Sequence, residues 1–126
     1  GAKIDQAECD AIVQHFAGSN IKLVSLCGQT SLREAHTIIA WSKVAVANDS
    51  GLAHLTSLTG TALVTFNGMG RSSETQPLTR RKMLFDLQLA CSPCFAKVCP
   101  RKDQPLACLT GIAPDAVADA VLYSLN

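Results

Sequence analysis

The sequence VAVANDSGLAHL, residues 44–55, decides the fold, because an apolar, β-branched run stops there at a polar Asn-Asp-Ser-Gly corner. The apolar run predicts a buried strand over Val44–Ala47, and the amphipathic residues after the corner predict a helix over Leu52–Leu58. A strand that turns tightly into a helix is typical of parallel α/β sheets. The stretch therefore predicts such a sheet and places the corner at the carboxyl end of one strand.

The corner also predicts an anion site, because the first backbone N–H groups of a helix have no acceptor within that helix. Here those groups belong to Ser50, Gly51 and Leu52, and the helix dipole adds about half a positive charge. Gly51 has no Cβ and lets another molecule approach closely, so the corner favours phosphate. Asp49 flanks it as an acceptor and His54 as a donor or cation. A structural interpretation stays open, in which Asp49 or Ser50 only caps the helix and His54 lies on its surface.

Alternating elements surround the corner. Capping-box spacings at Asp5/Glu8 and Ser31/Glu34 predict the starts of two earlier helices. The predicted order is helix Asp5–Phe16, strand Ile21–Leu26, helix Ser31–Trp41, strand Val44–Ala47, helix Leu52–Leu58 and strand Thr61–Phe66. This alternation, with its short connections, predicts an α/β fold: a Rossmann-like parallel sheet with helices on both faces.

After Gly68 the alternation breaks, and residues 69–110 are expected to form an irregular loop region that contains a cysteine cluster. Within it we expect a strand over Met83–Leu89, and beyond it a closing amphipathic helix over Asp115–Leu125. The 126 residues amount to about one domain by length, so residues 1–126 are expected to form a single domain.

Composition excludes several classes of function. Hydrophobic residues make up 48% of the chain and charged residues 17%, which is enough to build a core and argues against disorder. The net charge of +1 and the 5% aromatic content argue against a nucleic-acid binder. No apolar run approaches the roughly 20 residues of a membrane-spanning helix, and no secretory signal pattern opens the chain.

Polar residues end each predicted strand. In open α/β sheets, ligands bind outside the carboxyl ends of the strands. Those ends carry Cys27-Gly28, Asn48-Asp49-Ser50 and Asn67-Gly68, and Asp5 is expected at the same edge. We therefore treat these residues as one candidate site.

Four of the six cysteines follow the spacing Cys91-x2-Cys94-x4-Cys99-x8-Cys108. Four thiolates can close a tetrahedral zinc site, but the second half of this set lacks a matching C-x2-C pair. A zinc site, disulfide pairing and free thiols all stay open. No thiol has a nearby histidine in the sequence, so a catalytic cysteine is not expected. The other two cysteines lie in apolar patterns that are typical of small buried residues.

The corner Asn48-Asp49-Ser50-Gly51-Leu52-x-His54, followed by a strand that ends Phe66-Asn67-Gly68, resembles the signature of glycosyltransferase family 9. This family comprises the bacterial ADP-heptose:lipopolysaccharide heptosyltransferases. Three further segments resemble it in order, and the cysteine segment among them resembles the second-heptose subgroup. They are LCGQTSL at 26–32, the cysteine segment at 91–109 and IAPDAV at 112–117.

The resemblance implies that the chain is the C-terminal, donor-binding half of a GT-B glycosyltransferase. In this interpretation the backbone amides of Ser50, Gly51 and Leu52 would hold the diphosphate of ADP-heptose. Asn48 would lie in the same donor site, and Asp49 would accept hydrogen bonds from the heptose.

Further roles follow from the same resemblance. His54 would reach a phosphate or stabilise the leaving diphosphate. Asp5 would bind the ribose hydroxyls, although helix capping explains this residue equally well. Cys27-Gly28 would face the adenine, and the loop Gly68–Pro77 would face the sugar. The family often has Gly-Pro-Thr where this chain has Gly68-Met69-Gly70, so the contacts of this loop are expected to differ.

The chain starts at Gly1 without an initiator methionine, and the resemblance implies a fragment that lacks the N-terminal acceptor domain and the first part of the donor domain. The implied reaction is an inverting transfer of heptose to the lipopolysaccharide inner core, with no cofactor. The general base and a phosphate-binding lysine are expected in the missing parts, so no catalytic or metal-binding residue is assigned here. We expect the isolated chain to bind nucleotide weakly and not to catalyse.

The implied partners are the ADP-heptose donor and the inner-core acceptor, the latter through the missing domain, with no nucleic acid. The implied location is cytoplasmic, and peripheral contact with the inner membrane stays open. Two other functions also stay open: a domain that binds a different nucleotide sugar, and a non-enzymatic interaction module stapled by zinc at the four clustered cysteines.

Overall fold

The computed structural model describes residues 1–126. They form two compact units, 1–37 and 38–126, and each is described by itself. A 3-10 turn covers Lys3–Asp5. The helices and strands are α1 Gln6–His15, α2 Leu32–Trp41, β1 Val44–Asn48, α3 Gly51–Ser57, β2 Ala62–Asn67, α4 Ser72–Thr75, β3 Lys82–Asp86, α5 Ala107–Thr110 and α6 Pro114–Ser124.

The core of the second unit is a three-stranded parallel sheet in the order β1-β2-β3. Residues 62–65 of the central strand are all buried. Because successive side chains of a strand point to opposite faces, both faces of β2 are covered. Helices α3 and α6 each pack against β1 and β2. The predicted Rossmann-like α/β sheet is confirmed, and each predicted element of this unit lies within a few residues of its expected bounds.

The strand predicted over Ile21–Leu26 is wrong, because the backbone of these residues forms no sheet. The segment has the apolar composition of a strand, but no strand pairs with it in unit 1–37. An extended segment needs a neighbour to take up its backbone hydrogen bonds. Ile21, Leu23, Val24 and Leu26 are all exposed.

The two predicted capping boxes have different outcomes. At α2, the Ser31 N–H donates to Glu34 Oε2 over 2.7 Å and the Glu34 N–H donates to Ser31 Oγ over 3.3 Å, which confirms that box. At α1 the predicted box is wrong, because the side chain of Asp5 makes no capping bond to the helix. Its carboxylate instead accepts the Ala2 N–H over 2.7 Å within the preceding 3-10 turn.

The third strand is shorter than predicted. It ends at Asp86, and Gln88 takes a left-handed backbone conformation with φ of 45° that carries the chain out of the sheet. The region 69–110 is otherwise irregular, as expected, except for β3 and the four-residue helices α4 and α5. No helix is long and apolar enough to cross a membrane.

The central strand generates a stability prediction. Leu63 is 0% exposed at the middle of the sheet, so Leu63→Ala removes buried apolar surface and leaves a cavity. We expect the free energy of unfolding, measured by denaturant titration, to fall by about 2–5 kcal/mol. Leu78→Ala is the matched control, because Leu78 is 89% exposed and its truncation should change the value by less than about 0.5 kcal/mol. Equal losses in both variants would contradict a core centred on β2.

Candidate functional site

The corner between β1 and α3 is open and has unbonded amides. Ser50 lies at the N-cap position in an extended conformation, and its side chain makes no capping bond. Within the chain, the first amides after β1 to find acceptors in this helix are those of Ala53 and His54, which both donate to Ser50 O. The N–H groups of Ser50, Gly51 and Leu52 donate to no other group of the chain. A Cβ placed on Gly51 would meet no atom within 4 Å, so the backbone there is accessible to another molecule.

Asp49 and His54 flank these amides on the surface. Both residues are exposed. The Asp49 N–H donates to Phe66 O over 3.2 Å, which ties the corner to the end of β2. The side chains of Asp49 and His54 make no hydrogen bond within the chain, so both can accept or donate to a bound group. The structural alternative, in which Asp49 or Ser50 caps α3 through its side chain, does not occur.

A cleft of about 440 Å³ opens beside the corner, at the carboxyl ends of β1 and β2. Its floor includes Phe66, whose ring stacks on Phe85 of the neighbouring strand at a centroid distance of 5.8 Å. The only charged side chains in its wall are Asp49 and Lys97. The lining residues are Asn48, Asp49, Phe66, Gly68, Met69, Gly70, Thr75, Cys94, Phe95, Ala96, Lys97, Cys99, Leu106, Cys108 and Leu109.

The predicted site residues therefore fall into three places. Asn48, Asp49 and Gly68 line the cleft. Residues 50–52 and His54 lie next to it on α3 and its preceding turn, outside the lining. Asp5, Cys27 and Gly28 belong to unit 1–37.

In that first unit, Cys27 is 4% exposed and its thiol donates to Ala2 O over 2.9 Å. Burial raises the pKa of the Cys27 thiol, and the neighbouring Cys9 thiol adds to the increase. The Gly28 N–H donates to Gly1 O over 3.2 Å. Gly28 has φ of +67°, and a Cβ there would lie 2.9 Å from Lys3 Cα. Cys27 and Gly28 thus hold the start of the chain in place, and their contact with adenine stays a prediction.

The turn Gly68–Gly70 forms one rim of the cleft, and each of its three carbonyls is held by a separate donor. Ser92 Oγ donates to Gly68 O over 3.3 Å, and the Phe95 N–H donates to Met69 O over 2.9 Å. Asn67 Nδ2 donates to Gly70 O over 3.0 Å. The turn is thereby joined to the cysteine segment on one side and to the end of β2 on the other.

Three of the clustered cysteines, Cys94, Cys99 and Cys108, line the cleft. All six cysteines of the chain are free thiols, and no group of three or more His, Cys, Asp or Glu side chains is placed to hold a metal ion. Cys99 Sγ accepts the Leu106 N–H over 3.2 Å. The structure thus gives these thiols a place in the cleft wall and gives the zinc-stapled alternative no support.

An ion pair closes part of the same segment. Arg101 Nε donates to Asp103 Oδ1 over 3.2 Å, and this bond lowers the pKa of Asp103 to about 2. Both side chains are solvent-accessible, so the pair is expected to fix the local backbone more than to add to global stability.

Sequence reasoning missed the residues that the irregular segment adds to the cleft lining: Phe95, Ala96, Lys97, Leu106 and Leu109. Met69, Gly70 and Thr75 also line it, and they belong to the loop that the family resemblance predicted to face the sugar. The others come from the irregular segment, where no periodicity indicates which side chain faces the cleft. Their placement depends on contacts such as that between Phe95 and Met69, 26 residues apart in the chain.

Comparison of the chain with known proteins identifies a family. The model of glycosyltransferase family 9 (heptosyltransferase) matches residues 2–104. The chain is similar to two proteins named lipooligosaccharide heptosyltransferase 2 from Campylobacter jejuni subsp. jejuni. The one from serotype O:6 is 30% identical over 120 residues, which is 94% of this chain and 37% of the relative. The one from serotype O:2 is 31% identical over 118 residues, 93% of this chain and 36% of the relative.

The chain therefore spans little more than a third of the length of the curated relatives it matches. No solved structure matches it significantly.

Asp86, at the end of β3, generates a pH prediction. Burial raises the pKa of Asp86, but hydrogen bonds from Ser72, Asn67 and the Gln88 N–H outweigh burial and hold it below its usual value. A carboxyl with a lowered pKa in the folded state stabilises that state above the unfolded pKa, about 4, and the contribution is lost as the pH falls through the folded pKa.

We expect the Tm of the natural chain to fall between about pH 5 and pH 2 by more than the Tm of Asp86→Asn, because the variant has already lost this contribution at neutral pH. Thermal unfolding at a series of pH values measures it. Asp119→Asn, an exposed carboxyl on α6, is the control and should follow the natural curve. Parallel curves for Asp86→Asn and the natural chain would contradict the assignment.

Proposed function

The chain belongs to glycosyltransferase family 9, the heptosyltransferases, and we propose that it binds the donor in an enzyme that transfers heptose from ADP-heptose to the lipopolysaccharide inner core. Its three-stranded parallel sheet is consistent with a Rossmann-like half of a GT-B glycosyltransferase. The observation that carries the proposal is the set of unbonded amides at Ser50, Gly51 and Leu52 beside the exposed carboxylate of Asp49.

The diphosphate of the donor is assigned to these amides. Backbone N–H groups that have no acceptor in the protein are available to phosphate oxygens, and they carry the positive end of the first helical turn. His54 lies one turn further along α3 with an exposed ring. When protonated, it would add a positive charge where negative charge develops on the departing diphosphate.

The heptose is assigned to the adjoining cleft. A volume of about 440 Å³ lies within the range of small-molecule sites. Asn48 and Asp49 offer amide and carboxylate groups to sugar hydroxyls, and Phe66 and Phe95 offer apolar surface to the C–H faces of a ring. The carboxylate of Asp49 accepts from two hydroxyls without competing for a bond inside the protein.

For the nucleoside end, the family resemblance implies roles for residues of unit 1–37, and these stay a prediction for that unit alone. Asp5 would bind the ribose hydroxyls and Cys27-Gly28 would face the adenine. The carboxylate of Asp5 accepts the Ala2 N–H and retains free lone pairs for a ribose hydroxyl.

The proposed reaction is a direct displacement that inverts the anomeric carbon. A base removes the proton of an acceptor hydroxyl, its oxygen forms a bond to the anomeric carbon, and the bond from that carbon to the diphosphate oxygen breaks as ADP leaves. The chain supplies donor binding and stabilisation of the leaving group. The base is assigned to another part of the natural protein. We propose that this protein acts in the cytoplasm, with peripheral contact at the inner membrane.

The test of this function is heptose transfer by the full-length natural protein. Asp49→Asn removes the charged acceptor, and the loss of a hydrogen bond to a charged group predicts a fall in kcat/KM of roughly 10- to 100-fold. Asp119→Asn, an exposed change away from the corner, is the control and should leave the rate unchanged.

Competition among ADP-heptose, other ADP-sugars and UDP-sugars gives the donor preference. A preference for a different nucleotide sugar would replace the proposal with the alternative of another nucleotide-sugar-binding domain. Full activity of Asp49→Asn would contradict the assigned corner, and transfer by the isolated 126-residue chain would contradict the assignment of the base elsewhere.

A second prediction separates binding from folding at the same corner. Gly51 has no positive φ and faces open space, so Gly51→Ala fits the fold and should raise the free energy of unfolding by at most about 1 kcal/mol. The added methyl group lies where the diphosphate is expected, so the affinity for ADP, measured by calorimetry on the full-length protein, should fall several-fold. Unchanged affinity would indicate that the phosphates bind elsewhere.

A further inference from the structure

We propose that Asn67 is a positioning residue: its side-chain amide fixes the Gly68–Gly70 turn against Asp49 and so sets the shape of the sugar end of the cleft. This inference rests on the proposed function for its ligand, but its structural step can be tested without any ligand. The sequence places Asn67 at the candidate site as part of the strand end Asn67-Gly68, and this inference gives its side chain a specific role.

Asn67 is buried, and its side-chain amide is bonded to two acceptors. Its side chain lies on the same face of β2 as that of Thr65, and the residue is 4% exposed. Nδ2 uses its two protons on two acceptors, Gly70 O at 3.0 Å and Asp86 Oδ2 at 3.1 Å. One amide therefore joins the ends of β2 and β3 to the rim of the cleft.

The two acceptors also fix the orientation of the Asn67 amide. The two groups that face Nδ2, a carbonyl and a carboxylate, are acceptors only, so the NH₂ group must point to them and a flipped amide would oppose oxygen to oxygen. Oδ1 is thereby directed to the other side, where it is buried and has no partner within the protein. A reversal of this amide would cost both hydrogen bonds at once.

Gly70 links the Asn67 amide to the proposed donor site. A Cβ placed on Gly70 would lie 3.2 Å from Asp49 Oδ2 and 3.3 Å from Asn67 Oδ1. Gly70 therefore lies close to both the carboxylate assigned to the heptose and the amide that bonds it, and a Cβ there would also lie 3.2 Å from Thr75 Oγ1. A shift of Gly70 changes the space available to the Asp49 side chain.

Asp86, which accepts a hydrogen bond from Asn67, is itself held in place. Asp86 Oδ1 accepts the Gln88 N–H over 3.1 Å, and the Ser72 hydroxyl contributes to holding the pKa of this carboxyl below its usual value. Asp86 therefore presents Oδ2 to Asn67 as a fixed, ionised acceptor at neutral pH. The turn is held through Asn67 on this side, while Ser92 and Phe95 hold its other two carbonyls.

The decisive variant is Asn67→Asp in the full-length natural protein. The Asp side chain has the same shape as Asn but has no N–H donor when it is ionised. Its carboxylate then faces two other acceptors, the Asp86 carboxylate and Gly70 O. We expect the affinity for ADP-heptose to fall about tenfold, since a hydrogen bond that involves a charged group is lost. The affinity for ADP alone should change less than twofold, because the diphosphate binds at the neighbouring corner.

Acid pH supplies a signature that a general packing defect lacks. When the two facing carboxyls share a proton, one donates to the other and the link to Asp86 is restored. The ratio of the sugar-nucleotide affinity of the natural protein to that of Asn67→Asp should therefore shrink as the pH falls from 8 to about 5, and protonation of His54, which both proteins share, leaves this ratio unchanged. The double variant Asn67→Asp/Asp86→Asn, which exchanges donor and acceptor, should recover part of the loss at neutral pH.

Two further measurements keep the inference separate from the proposed function. Asn20→Asp, the same change at an exposed position, is the control and should alter neither affinity. The Phe95 N–H, bonded to Met69 O, reports the turn by hydrogen exchange without ligand, and its protection should fall in Asn67→Asp.

Unchanged Phe95 protection, or equal losses of ADP and ADP-heptose affinity, would overturn the positioning role. Lost protection in a protein that binds no ADP-heptose would support the structural step and reject the proposed function.

Discussion

The double-sided burial of β2 is the constraint on which the rest of this unit depends. When a strand is buried on both faces and paired on both edges, other groups can reach it only at its two ends. Because β1, β2 and β3 run parallel, their carboxyl ends lie at one edge, and the polar residues that end them are brought together there. Asp49, Asn67 and Asp86 follow or end the three strands in turn. The cleft, the unbonded corner and the amide link are consequences of this one arrangement.

Local signals predicted the elements whose stability is local. The Asn48–Gly51 corner and the Ser31/Glu34 box were predictable because each depends on residues within four positions of one another. The strand predicted at Ile21–Leu26 failed for the opposite reason. An apolar run records only that a strand is compatible with the sequence, whereas a strand forms only when another one pairs with it.

The candidate site was predictable to the same extent. Strand ends and glycines are visible in a sequence, so Asn48, Asp49 and Gly68 were placed correctly in the cleft. Asn67 was expected at the same edge, but the bonding of its side chain was not predictable, because its partner Asp86 is 19 residues away and the register between β2 and β3 decides their contact. The Cys91–Cys108 spacing suggested a metal, but spacing alone does not determine which way four side chains point.

Charge balance sets a requirement on any diphosphate bound at this corner. A seven-residue helix contributes only its first-turn amides, worth about half an elementary charge, against the two or more negative charges of a diphosphate. Asp49 lies beside these amides and adds a further negative charge, which favours sugar hydroxyls and disfavours phosphate at that point. The side chains that can offset this are Lys97 in the cleft wall and a protonated His54. The corner thus favours a ligand with phosphate and hydroxyl groups side by side. The amides donate to phosphate oxygens, and the carboxylate, a few residues away, accepts from hydroxyl groups.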